Sequence, residues 1–338
     1  MDRCTEVGNT RSKLDYVKCG VPQGSILGPL LFLLYINDIV LSSKLCKFTL
    51  FADDTSVFFS HKDKSEGAKI LNAELSKIAE WLAANKLSLN VKKSKLLIFN
   101  NKSFINDHDP LVSNPPEHGN DTHSVESSVD NPDSGVININ GEILEEVDHA
   151  KYLGTLVDNK LNWSYQIDAV SLKLAKGIGL LAKIRHYVPS NTLRSLYFSF
   201  NNPYIDYNLL NWGMAGSTRL NTIHLKMKKA VRIMSFKPSD HPTADLFKDL
   251  NILPLEKSIK LKYGRFMWRL KNGYLPDSLT RNYHRNARTG FSSSLSRLES
   301  LKEFILFAGP SLWNELPSVI TSKPSLNSFS RELKNYLI

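Results

Sequence analysis

The stretch LFADDTSVFF, residues 50–59, places two adjacent carboxylates, Asp53 and Asp54, inside an otherwise apolar run. A carboxylate withdrawn from water costs free energy unless something pairs with it. Side chains of a regular strand alternate between faces, so neighbouring aspartates serve one cation only where the backbone turns. KFTLF and SVFF on either side are both β-prone, and Ala-Asp-Asp-Thr between them suits a short hairpin connection. The pattern therefore predicts an antiparallel hairpin with both charges at its tip. Carboxylates so placed are hard oxygen ligands suited to Mg²⁺, and two such ions about 3.5–4 Å apart can hold both reacting oxygens of a phosphoryl transfer. From this string alone, an exposed turn without a ligand explains the same residues.

The stretch upstream favours the ligand. CGVPQGSILGP, Cys19–Pro29, gathers three glycines and two prolines ahead of an apolar segment. Glycines permit close backbone approach to a bound group, Gln23 offers a donor and an acceptor, and Pro29 suits the first turn of a helix. The apolar segment LLFLLYINDIV, Leu30–Val40, carries Asn37 and Asp38 and is shorter than the roughly 20 residues that span a bilayer, so it reads as a buried helix. The polar N-terminus MDRCTEVGNTRSKLDYVK lacks the apolar core of a signal peptide, so a protein that is not secreted is expected.

Composition divides the remainder. Asp63 with Glu66 resembles a capping pair opening a helix with Ile70, Leu71, Leu75, Ile78 and Leu82 on one side. Residues 101–135 are rich in Asn, Asp, Ser and Pro with few apolar anchors, which predicts a disordered polar insertion. From 136 to 163 an alternating pattern with Asn140-Gly141 predicts a β-hairpin. Beyond Trp163, Ile167, Val170, Leu174, Ile178, Leu181 and Ile184 form one helical stripe that Pro189 ends.

Charge is uneven along the chain. Its 43 Lys and Arg against 33 Asp and Glu give +10 overall. Between Arg219 and Arg288 stand 16 basic and 5 acidic residues, a net +11, interleaved with Tyr263, Phe266, Trp268 and Tyr274. This segment reads equally as a phosphate-contacting surface with stacking aromatics or as solvated helix faces with aromatics in the core. Cys4, Cys19 and Cys46 form no CxxC, which argues against a disulfide framework or a zinc finger.

GVPQGSILGP followed by FADD resembles the reverse transcriptases of non-LTR retrotransposons, the jockey-like and LINE-like elements. LSLNVKKSKLLIF (Leu87–Phe99) is similar to the family's palm-closing segment, with Ser94 in the place of a threonine. KYLGTLVDNKLNW (Lys151–Trp163) resembles the primer-grip hairpin and the start of the thumb. WGMAG at Trp212, LKMKKAVRIM at Leu225 and GPSLWNELP at Gly309 are similar to the helical region after the thumb.

The resemblance implies an α+β fold: a partial palm over 1–100, the insertion at 101–135, primer-grip hairpin and thumb-like helices over 136–200, and a basic helical region over 201–338. It implies Mg²⁺ held by Asp53 with Asp54 in support, and Lys93 near the departing pyrophosphate. Pro22, Gln23 and Gly24 would line the nucleotide and template, and Tyr152, Leu153 and Gly154 would steady the primer. The partners it implies are an RNA template, a DNA primer and deoxynucleoside triphosphates, in the nucleus or cytoplasm and without a membrane. The family's first catalytic carboxylate lies on an earlier strand, and 19 residues precede Gly20 here, too few for it and for the fingers. The expectation is thus an RNA-directed DNA polymerase with an incomplete Mg²⁺ site, inactive by itself, whose open palm edge favours self-association. The alternative is a non-catalytic nucleic-acid-binding protein derived from such an element.

Overall fold

The computed structural model describes residues 2–13, 15, 16, 20, 21, 24–99, 135–280, 283–286, 290–292 and 305–338. They fall into two compact units: the described residues up to Leu96 together with those from 135 to 147, and residues 97–99 together with the described residues from Asp148 to Ile338. The insertion expected at 101–135 falls, Gly135 apart, outside the described residues, as do Pro22 and Gln23.

The first unit opens with four two-residue strands, β1 (Asp2–Arg3), β2 (Glu6–Val7), β3 (Thr10–Arg11) and β4 (Asp15–Tyr16), paired β1 with β4 and β2 with β3. Helix α1 (Leu27–Ile36) holds Pro29 in its first turn, where no amide donor is needed, and leads into a 3-10 turn over Asn37–Ser42. Strands β5 (Lys47–Phe51) and β6 (Asp54–Phe58) then pair antiparallel. Their period-two alternation seats Phe48, Leu50 and Val57 on the core and leaves Lys47, Thr49 and Phe51 exposed.

Helix α2 (Lys64–Ala84) begins as its sequence predicts, with the Asp63 carboxylate accepting the Glu66 N–H at 2.7 Å. No return bond from Glu66 closes the box, because the Asp63 N–H donates to His61 Nδ1 at 3.2 Å instead. Ala68, Leu75, Ile78 and Ala79 are buried against Ile137 and Ile139. Those two isoleucines belong to the stretch leading through β8 (Asn138–Ile139) and β9 (Glu142–Ile143), joined by a turn in which Asn140 and Gly141 both take positive φ. Asn72 ties α2 to this hairpin through both ends of its amide, at 2.9 Å to Val136 O and 2.9 Å from Asn138 N. Strand β7 (Lys95–Leu96) pairs in parallel with β10 (Glu145–Glu146).

The apolar segment at 30–40 corrects an expectation: it is helical but not buried. Leu30, Leu31, Leu33 and Leu34 are each 47–69% exposed, and only Ile36 and Ile39 enter the core. A helix apolar on all sides needs cover on all sides. Among the described residues, α1 is packed on one side only, with Phe32 and Ile36 facing the core of α2.

In the second unit, β11 (His149–Tyr152) and β12 (Thr155–Asp158) form a hairpin that leads into helix α3 (Ser164–Ile184). Ile167, Val170, Leu174, Ile178 and Leu181 are all at most 4% exposed, as the periodicity predicts. Helices α4 (Ser190–Phe200), α5 (Asn202–Asp206), α6 (Leu209–Trp212) and α7 (Ser217–Met234) close around that stripe with Leu193, Trp212, Ile223 and Met234 wholly buried. Fully burying such a side chain stabilises by about 1.5–3 kcal/mol. Helices α8 (Ala244–Asp249), α9 (Leu255–Lys271) and α10 (Asp277–Thr280) follow. After the short pair β13 (His284–Asn286) and β14 (Gly290–Ser292), helices α11 (Ile305–Glu315), α12 (Ser318–Thr321) and α13 (Leu326–Leu337) complete a second core around Met267, Trp313, Phe329 and Leu333. The architecture is α+β, with every described sheet two-stranded. No helix among the described residues is long and apolar enough to cross a membrane.

Candidate functional site

The hairpin register puts Asp54 opposite Phe51, which leaves Ala52 and Asp53 as a two-residue turn. Ala52 takes φ +52°, a left-handed conformation that costs an L-residue with a Cβ about 1–2 kcal/mol. Asp54 shares the outer, exposed face with Phe51 and Thr49, because Leu50 and Val57 claim the inner one. Both carboxylates are exposed, and no hydrogen bond or ion pair holds either side chain among the described residues. A hard cation would find there two oxygen-donor residues open to water, which is the chemistry Mg²⁺ takes. No group of three or more His, Cys, Asp or Glu placed to hold a metal occurs among the described residues.

Behind the tip, the unit is fastened by a buried polar knot. Ser43 and Glu74 are 6% and 3% exposed, the Ser43 hydroxyl donates to the Glu74 carboxylate, and Lys77 Nζ approaches Glu74 Oε1 at 2.5 Å. The Lys77 ammonium, with the Ser43 hydroxyl in support, holds the Glu74 carboxyl below its ordinary range. Ser43 Oγ also accepts from the N–H of Cys46, just ahead of β5, at 3.0 Å. Burial raises the Cys46 thiol above its usual value. This knot anchors the start of the carboxylate hairpin to α2.

Gly24 is exposed at φ +85°. Lys93 ends a 3-10 turn over Val91–Lys93 whose cap is Asn90, with the Lys93 N–H 3.3 Å from Asn90 Oδ1 and the side chain exposed. A surface hollow of 380 Å³ is lined by Ser88, Leu89, Asn90, Val91, Lys92 and Glu142. Lys92 lines it, not Lys93, so a second lysine stands beside the one the sequence singles out. Asp53, Asp54, Gly24 and Lys93 belong to the first unit, while Tyr152, Leu153 and Gly154 belong to the second.

In the second unit, Leu153 and Gly154 form the β11–β12 turn with φ +45° and +85°. Tyr152 is exposed beside them. The turn is continued into α3 by a buried carboxylate that sequence reasoning did not single out. Asp158, 2% exposed, accepts from Asn162 N at 3.0 Å and Trp163 N at 2.8 Å. Gln166 Oε1 accepts from Leu156 N at 3.0 Å, so the first turn of α3 is tied back to β12.

The profile of the family described as reverse transcriptase (RNA-dependent DNA polymerase) matches residues 2–157. That segment contains the carboxylate hairpin, Lys93 and the β11–β12 turn. Residues 2–157 belong to the reverse transcriptase family. Similarity continues through the helices: the chain is 24% identical over 308 residues to a probable RNA-directed DNA polymerase from transposon BS of Drosophila melanogaster, covering 86% of this chain and 31% of that protein. It is 25% identical over 286 residues to the RNA-directed DNA polymerase from mobile element jockey of Drosophila melanogaster, covering 81% and 28%. A probable RNA-directed DNA polymerase from transposon X-element of the same species is 26% identical over 264 residues, covering 75% and 26%. The chain thus spans about a third or less of these relatives' length. No solved structure matches.

Downstream of the reverse transcriptase segment, two of the four aromatics of the basic region, Tyr263 and Trp268, lie in the core, while Phe266 is half-buried and Tyr274 is 69% exposed. Tyr263 and Trp268 are each 4% exposed, Trp268 Nε1 donates to Lys323 O at 3.0 Å, and Tyr274 stacks on Trp268 with ring centroids 5.6 Å apart. Some of the cations pair within the protein itself, Lys260 with Glu256 at 2.8 Å and Lys262 with Asp206 at 2.7 Å. On α7, Lys226 and Lys229 have no acidic partner among the described residues and flank a groove of 140 Å³ floored by Ala175, Ile178, Gly179 and Ala182 of α3.

Proposed function

We propose that this chain serves templated addition of deoxynucleotides to a primer 3′-hydroxyl, as the RNA-directed DNA polymerase of a non-LTR retrotransposon. The observation that carries the reading is Asp53 on a strained two-residue turn with Asp54 beside it at the start of β6, within the segment matched to the reverse transcriptase family. Asp53 is the principal Mg²⁺ ligand and Asp54 its supporting neighbour. Bound there, Mg²⁺ would stabilise the attacking and leaving oxygens of the transfer. Lys93 offsets charge on the departing pyrophosphate or supplies a proton. Pro22, Gln23 and Gly24 line the nucleotide and template, and Tyr152, Leu153 and Gly154 steady the primer end.

In this reading residues 1–100 are palm, 136–200 primer-grip hairpin and thumb-like helices, and 201–338 a basic region that holds nucleic acid. In such a two-metal site the hairpin would supply part of the ligand set, with further ligands completing it. The outer edges of β5 and β6, unpaired among the described residues, favour association with further β-structure, including a second copy. A second reading, nucleic-acid binding without catalysis, draws on the unpaired lysines of α7.

Primer extension on an RNA template with Mg²⁺ separates the two. Activity that appears on mixing with a polypeptide carrying fingers and the first aspartate strand, and is lost in Asp53→Ala, supports the polymerase. Absence of activity in every mixture, with RNA binding that weakens steeply with salt and survives Asp53→Ala, supports the second reading.

A further inference from the structure

The β11–β12 turn has a sequence that does not suit its shape. A two-residue turn with both central residues at positive φ favours Asn-Gly, and the chain uses that pair at Asn140-Gly141, with φ +55° and +80°. At 153–154 the same signs of φ are imposed on Leu-Gly. Leucine has no local hydrogen bond to offset the left-handed conformation, so something outside the turn must hold it.

That support comes from the link between α5 and α6. The Tyr207 hydroxyl donates to the Leu153 carbonyl, and its ring edge lies where a Cβ on Gly154 would come within 3.5 Å. Asn208, itself at φ +54°, donates from Nδ2 to Thr155 Oγ1 at 3.0 Å, and Thr155 is 2% exposed. Trp212, wholly buried in the helical core, donates from Nε1 to the Tyr207 carbonyl at 2.9 Å. A chain of bonds thus runs from the core to the tip of the hairpin.

We infer that Tyr207 and Asn208 are positioning residues that hold the Tyr152–Gly154 turn in its strained form for the primer end, anchored through Trp212. The inference rests on the primer-grip reading of that turn. Neither residue touches substrate in this account; they act through the backbone of Leu153 and the hydroxyl of Thr155.

The test uses the full chain and an RNA template annealed to a recessed DNA primer, with a blunt hybrid of equal length as reference. In Tyr207→Phe, amide exchange at Gly154 and Thr155 accelerates by about two- to tenfold, the equivalent of one neutral hydrogen bond. The preference for the recessed over the blunt hybrid falls by a comparable factor, while the melting midpoint stays near wild type. Tyr187→Phe, at a tyrosine 85% exposed and remote from the turn, changes neither readout. Unchanged exchange in Tyr207→Phe overturns the inference. Faster exchange with an unchanged end preference reduces Tyr207 to a structural contact and also overturns it. A wild-type chain that binds both hybrids equally refutes the primer-grip reading and the positioning role with it, while the exchange data still report whether the tyrosine restrains the turn.

Discussion

Replacing Asp158 by alanine should destabilise the second unit more than its small size suggests. Its carboxylate is 2% exposed and accepts two backbone N–H groups, from Asn162 at 3.0 Å and Trp163 at 2.8 Å. Around them the chain passes through Leu161 at φ +51° and Trp163 at φ +63°, both left-handed and neither glycine. A hydrogen bond to a charged group contributes about 1.5–3 kcal/mol. Two would suggest about 3–6 kcal/mol, but Asn162 is half-buried and water can replace its partner, so about 3 kcal/mol is the working figure. For a unit of this size that lowers the midpoint by roughly 6–12 °C. Tryptophan fluorescence is a suitable assay, because Trp163, Trp212, Trp268 and Trp313 lie in this unit and Trp81 alone in the other. Asp158→Asn, which keeps one acceptor oxygen, should fall between wild type and alanine. A loss below about 1 kcal/mol in Asp158→Ala would refute the claim that this carboxylate sets the corner between β12 and α3.

Other outcomes follow from the same geometry. Because the Glu74 carboxyl is held below its ordinary 4.5, its contribution is present above that pH and is lost as pH falls through the lower folded value. Urea unfolding between pH 3 and 6, followed at Trp81, should show a weaker acid loss in Glu74→Gln than in wild type. Gly177→Ala should destabilise by about 1–3 kcal/mol, since a Cβ there would lie 1.8 Å from Oδ1 of the wholly buried Asn201. Adding Asn201→Ala to it should recover part of that loss in the same melt, because the two sites share one space. Lys226→Gln with Lys229→Gln should weaken RNA binding and reduce the dependence of log affinity on log salt by about one for each phosphate that these lysines neutralise, measured by fluorescence anisotropy across a salt series.

Local signals carried the parts of the fold that depend on local physics. The β-prone runs around Asp53 and Asp54, the Asp63 cap, the stripe on α3 and the Asn140-Gly141 turn each write their own geometry into neighbouring residues, and each forms where the sequence places it. What lay beyond reading depends on partners remote in sequence. The apolar character of Leu30–Leu34 says that cover is needed but not whether these residues provide it, and among them α1 stays exposed. Nothing in Leu153 announces a positive φ, because the bond that stabilises it comes from Tyr207, 54 residues on. Trp268 fits a base-stacking surface as well as a core until α13 is seen to bury it. Paired carboxylates are legible as a candidate site because turn, charge and family resemblance meet in ten residues.

The central claim is that the Asp53–Asp54 tip holds the divalent cation of a nucleotidyl transfer. Paramagnetic broadening by Mn²⁺, which shares the oxygen-ligand preference of Mg²⁺, reads it directly on the full chain with an RNA template, a recessed primer and a deoxynucleoside triphosphate. The account predicts that the amides of Ala52, Asp53 and Asp54 broaden first and that Asp53→Ala abolishes the effect. Broadening that begins elsewhere, or that is unchanged in Asp53→Ala, would contradict it.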